Sequence, residues 1–125
     1  MAVKKKKILV IEDDPTQSMM YEVSLKGAGY KTLVANTAKQ GIALAEKEQP
    51  DLIFLDMVLG DMEGSEVIKI LKSDPKTQKL MIIALSNLNK KEIIEKCKAL
   101  GAADFLIKMQ YLPRDVVEKA GEYLK

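Results

Sequence analysis

Glu12 and Asp13 follow an apolar run at residues 8–11, Asp56 closes a second at 52–55, Ser86 follows a third at 81–85, and Lys108 ends a fourth at 105–107. Asp14, before Pro15, reads as a helix N-cap, but Glu12 and Asp13 have no such capping role. If the runs ending at Glu12 and Asp56 are neighbours, three carboxylates converge and raise one another's pKa unless a cation sits among them. An oxygen-only donor set with room for water favours Mg²⁺ over a softer metal. A carboxylate beside such a cation can attack phosphorus, because the cation offsets the repulsion between two anions. Asp56 is then the candidate nucleophile, with Ser86 donating a hydrogen bond to one phosphoryl oxygen and Lys108 neutralising another. Singly, these would be a loop acid, a turn residue and a solvated lysine; it is their recurrence at strand ends that points to chemistry.

Those ends must be brought together by the elements before them. The four apolar runs are too short for helices and suit strands buried on both faces, while residues 30–35 alternate more and suit a strand nearer an edge. Helical patterns lie between. Asp14-Pro15 opens the first, with Met19, Met20 and Val23 as its apolar face and Gly27 and Gly29 at its close. Asn36 or Thr37 caps the second, which carries Ile42 and Ala45 and stops at Gln49-Pro50. Residues 65–73 form the third, with Val67, Ile68 and Leu71 inward. Asn89 caps the fourth, which presents Ile93, Ile94, Cys97 and Leu100 before Gly101, and Pro113 opens the fifth, with Val116, Val117 and Ala120. Strict alternation predicts right-handed βαβ crossovers and a doubly wound, five-stranded parallel α/β sheet flanked by five helices. In such sheets ligands bind beyond the carboxyl ends of the strands, where these residues stand.

The 125 residues predict a single domain, 1–125, with 47% hydrophobic and 30% charged residues, neither disordered nor membrane-embedded. A net charge of +2 gives no case for nucleic-acid or membrane binding, and Lys4 to Lys7 read as a solvated flank rather than a basic arm. The lone Cys97 excludes an internal disulfide and, with no transmembrane or secretory segment, predicts a cytoplasmic protein. The absence of histidine removes histidine-based acid/base catalysis and zinc–histidine sites, so any phosphohistidine must come from a partner.

The constellation resembles the receiver domain of two-component response regulators over nearly the whole chain, from Ile8 to about Tyr123. Ile-Leu-Val-Ile-Glu-Asp-Asp at 8–14 is similar to the family's first strand and acid pair, Leu-Ile-Phe-Leu-Asp at 52–56 with Gly64 to the phosphoacceptor strand and loop, Ala-Leu-Ser at 84–86 to the hydroxyl position, and Gly-Ala-Ala-Asp-Phe-Leu-Ile-Lys at 101–108 to the lysine strand. The resemblance implies the flavodoxin-like strand order 2-1-3-4-5, and a signalling protein rather than an enzyme. It implies phosphoryl transfer from a histidine kinase or phosphotransfer protein to Asp56, with Mg²⁺ held by Glu12, Asp13, Asp56 and the carbonyl of Val58. It further implies that Ser86 is pulled inward, coupled to burial of the switch aromatic Phe105, so that the face of helix four, strand five and helix five changes its affinity for a downstream protein. A monomer or weak dimer is expected.

Two departures stand out. Met109 replaces the proline that usually follows the lysine, and Gly60 stands where proline is common, predicting a different loop after Lys108 and a less rigid one after Asp56. Val58 and Leu88, two residues beyond Asp56 and Ser86, are apolar at positions where, by the same resemblance, the family tunes water access to the acyl phosphate. An aspartate-nucleophile phosphatase needs a second acid where Val58 stands, and an FMN protein would want a phosphate cradle where Glu12, Asp13 and Asp14 repel one. A receiver-shaped interaction module that works without phosphorylation is the closer rival. Lys90, Lys91, Lys96 and Lys98, with Met109, Tyr111 and Leu112, form either a docking patch or a solvated face.

Overall fold

Five strands and five helices alternate along the computed structural model, which describes residues 5–125. They are β1 (Lys7–Ile11), α1 (Pro15–Gly27), β2 (Lys31–Ala35), α2 (Ala38–Glu48), β3 (Leu52–Asp56), α3 (Gly64–Ser73), β4 (Ile82–Ser86), α4 (Lys91–Leu100), β5 (Asp104–Ile107) and α5 (Pro113–Tyr123), with a 3-10 turn at Lys108–Gln110. All neighbouring strands pair in parallel in the order β2-β1-β3-β4-β5, the doubly wound α/β sheet that the alternation predicts.

The pleat sorts the core into two layers. Leu9, Ile11, Ile53, Leu55, Ile82 and Ala84 face α2, α3 and α4, while Ile8, Val10, Leu52, Phe54, Ile83 and Leu85 face α1 and α5. Alternate side chains of each strand point to opposite faces, so β1, β3 and β4 are apolar on both faces over residues 8–11, 52–55 and 82–85. Each such burial contributes about 1.5–3 kcal/mol against the entropy of ordering the chain.

The helices show where local pattern and tertiary packing part. In α1 the buried residues are Ser18, Tyr21 and Leu25, whereas Met19, Met20 and Val23 are exposed. The expected apolar face therefore points to solvent, and the sheet is met by a face that includes a small polar residue. Thr37 caps α2 by accepting from Gln40 N at 3.0 Å. Lys90, not Asn89, holds the N-cap position of α4, with no side-chain cap. Gly101 ends that helix at φ 117°, a left-handed conformation that favours glycine, over the Lys72 side chain.

The N-terminal lysines are not all a solvated flank. Lys7 donates its Nζ to the Glu48 carbonyl at 3.0 Å and its backbone N–H to Asp51 Oδ2 at 2.8 Å. Lys5 and Lys6 are exposed, and Lys4 lies outside the described residues.

Candidate functional site

Register decides which side chains meet. Ile11 pairs with Leu55, so the next residues, Glu12 and Asp56, leave the sheet side by side; Ser86 pairs with Ile107, which sets Lys108 one step beyond. Glu12, Asp13 and Asp56 each offer a carboxylate oxygen, and these oxygens all lie within 4.8 Å of one another. Lys108 Nζ reaches Glu12 Oε1 at 2.5 Å and Asp56 Oδ2 at 3.2 Å. Val58 N donates to Asp56 Oδ1 at 3.1 Å, fixing the carboxylate from its other side.

Glu12 is only 2% exposed, and Asn36 Nδ2 holds its carbonyl at 2.9 Å. Burial, then the Asp56 carboxylate beside it, raise its pKa from 4.5 to about 7, against the opposing pull of Lys108. Burial alone would depress the Lys108 ammonium, but its bond to Glu12 and the charges of Asp56 and Glu12 hold it above the ordinary lysine value. Three carboxylates gather here around a single lysine, and the all-oxygen donors fit a hard divalent cation.

Ser86 is buried at the end of β4, where its Oγ accepts from Leu88 N at 3.0 Å. An open cleft of about 340 Å³ joins Asp13, Asp56, Val58, Ser86, Leu88 and Lys108, so the two apolar side chains flank its mouth. Phe105 is already 9% exposed, packed in the layer that includes Cys97 and Ala102. The aromatic thus stands at the buried end of the motion expected of it. Cys97 is fully buried, and burial raises its thiol pKa, in keeping with packing rather than reactivity.

The loops carry contacts that residue types did not announce. Asp61 accepts from Ala38 N at 2.9 Å and Lys39 N at 3.1 Å, tethering the β3–α3 loop to the start of α2. Those two bonds lower its pKa, and a bridge between Val58 and Glu63 closes the same loop. The loop with Gly60 in place of proline is therefore fastened by other means. No peptide bond among the described residues is cis, and the Met109 N–H, which proline would lack, donates to Asn87 Oδ1 at 3.0 Å. Gln17 in α1 accepts from Lys108 Nζ at 2.8 Å. Asn87 and Asp61 give no signal beyond lying in loops, and Asn36 reads only as a candidate cap, whereas Gln17, three residues after the N-cap Asp14, holds a position where side chains often bond locally.

An acid cluster, a buried hydroxyl and a lysine at the carboxyl edge of a 2-1-3-4-5 sheet define a receiver-type site, and the response regulator receiver domain family matches residues 8–119. The chain belongs to that family. It is 36% identical over 113 residues to the alkaline phosphatase synthesis transcriptional regulatory protein PhoP of Bacillus subtilis, covering 89% of this chain and 45% of that one. Protein PilH of Pseudomonas aeruginosa is 28% identical over 82% of this chain and 84% of its own. A CheY-like receiver domain protein from Methanospirillum hungatei superposes with a TM-score of 0.89 at 29% identity, covering 97% and 94% of the two chains. The chain spans about half the length of the first curated relatives it matches.

Proposed function

We propose that the protein is a phosphoacceptor switch of a two-component phosphorelay, taking a phosphoryl group from the phosphohistidine of a histidine kinase or phosphotransfer protein onto Asp56. The observation that carries this is the convergence of Glu12, Asp13 and Asp56 within 4.8 Å, with Lys108 3.2 Å from Asp56, at the mouth of an open cleft. Glu12, Asp13, Asp56 and the Val58 carbonyl would hold Mg²⁺, which when bound supplies positive charge among the carboxylates and to the incoming phosphoryl oxygens. An Asp56 carboxylate oxygen forms the new O–P bond as the donor's N–P bond breaks, leaving the electron pair on the partner's imidazole. Val58 N–H orients that carboxylate, Lys108 neutralises a phosphoryl oxygen, and Ser86 exchanges its Leu88 contact for a hydrogen bond to another. The motion of Ser86 and the β4–α4 loop alters the face of α4, β5 and α5, where Met109 and Leu112 are exposed.

Beryllofluoride with Mg²⁺ tests this reading by mimicking the acyl phosphate. Chemical-shift changes at Asp56, Ser86, Lys108 and α4, absent in Asp56→Asn, support the switch. Binding of a partner with no such changes would instead support an interaction module independent of phosphorylation.

A further inference from the structure

We propose that Gln17 is a positioning residue for Lys108, supplying the neutral acceptor that keeps the ammonium at the site when its carboxylate partners are engaged elsewhere. The inference rests on the phosphoacceptor reading and extends it to a residue of α1. A lysine ammonium has three donors. Here Nζ donates to Glu12 Oε1 at 2.5 Å and Gln17 Oε1 at 2.8 Å, and forms an ion pair with Asp56 Oδ2 at 3.2 Å. Two of those acceptors belong to the acid cluster and would be shared with a cation or a phosphoryl group. Gln17 does not belong to it.

The local structure leaves Gln17 free for this. A Gln three residues past an N-cap commonly turns back to the N-cap backbone N–H. In α1 the Asp14 N–H is directed instead at Glu12 Oε2, 3.5 Å away. Asp14 Oδ1 holds the Gln17 backbone N–H at 3.3 Å, and Asp14 Oδ2 takes its Nε2 at 3.4 Å. The amide oxygen is thereby turned toward Lys108. Its position is set by α1, independent of the Asp56 and Ser86 loops. A fourth carboxylate would repel the site acids, but an amide adds an acceptor without charge.

The test compares wild type, Gln17→Met, which keeps the length without the acceptor, and Gln17→Glu, which keeps an oxygen. The Nζ–H resonance of Lys108 is followed by NMR with Mg²⁺, and phosphate uptake from phosphoramidate by intact mass. The wild type and Gln17→Glu should retain a protected Lys108 resonance, whereas Gln17→Met loses it and takes up phosphate roughly tenfold more slowly, the scale of one charge-assisted hydrogen bond. An unchanged thermal midpoint in Gln17→Met, expected because Asp14 still caps α1, excludes a folding defect. Equal Lys108 resonances and equal uptake in all three proteins would overturn the proposal. If wild type takes up no phosphate, the phosphoacceptor reading fails, and the resonance comparison still decides the role of Gln17.

Discussion

Titrating Glu12 should make the protein less stable as pH rises through neutrality, the reverse of ordinary carboxylates. Its pKa is about 7 in the folded chain against a usual 4.5. Between those values the folded state binds more protons than the unfolded state, so the stabilisation is complete below the unfolded pKa and is lost as pH rises through the folded one. At about 1.4 kcal/mol per pH unit the full effect is about 3 kcal/mol, most of which falls between pH 5 and 8. No histidine titrates in that window, because the chain has none. On the proposed reading Mg²⁺ would bind the ionised carboxylate, so its effect should have the opposite slope. At about 100 times its dissociation constant at pH 8 it should add about 2.7 kcal/mol, and much less at pH 5, where protonation of Glu12 competes with it. Urea unfolding across this range, with EDTA or Mg²⁺, measures both slopes, and Glu12→Gln should flatten them. Stability that holds or rises from pH 5 to 8 in EDTA, or a fall that survives in Glu12→Gln, would refute the reasoning.

Other substitutions probe the frame around the site. A Cβ on Gly64 would lie 2.6 Å from Met57 Cα and 2.9 Å from the Asp56 carbonyl oxygen. Gly64→Ala should therefore cost at least about 1–3 kcal/mol in urea unfolding and slow phosphate uptake, because backbone beside the acceptor must shift. Gly27→Ala meets nothing within 4 Å and should stabilise by about 0.4–1 kcal/mol. Val58 and Leu88 flank the cleft with no polar atom to orient water. Val58→Asn with Leu88→Glu should speed loss of the acyl phosphate about tenfold or more, followed by intact mass; an unchanged rate would count against control by access.

The sheet and its acid, hydroxyl and lysine positions were legible because each follows an apolar run of strand length and alternation with helices puts the strands' carboxyl ends on one edge, while the strand order came from the family resemblance. Thr37 and Pro113 began α2 and α5 as their cap chemistry predicts. Helix faces were harder. Met19, Met20 and Val23 looked inward by hydrophobicity, but α1 meets the sheet through Ser18, Tyr21 and Leu25, a face on which the small polar Ser18 satisfies its hydroxyl on the Pro15 carbonyl. Contacts between loops were illegible for another reason. Asp61 on the α2 N-terminus, Asn87 on Met109 and Gln17 on Lys108 join residues 22 to 91 positions apart, and no spacing rule along one element links them.

Intact-mass analysis after incubation with Mg²⁺ and a small phosphodonor tests the central claim most directly. One phosphoryl adduct should form on the wild type, vanish when Mg²⁺ is chelated, and fail to form on Asp56→Asn. An adduct of equal yield on Asp56→Asn, or none on wild type at saturating donor and Mg²⁺, would contradict it.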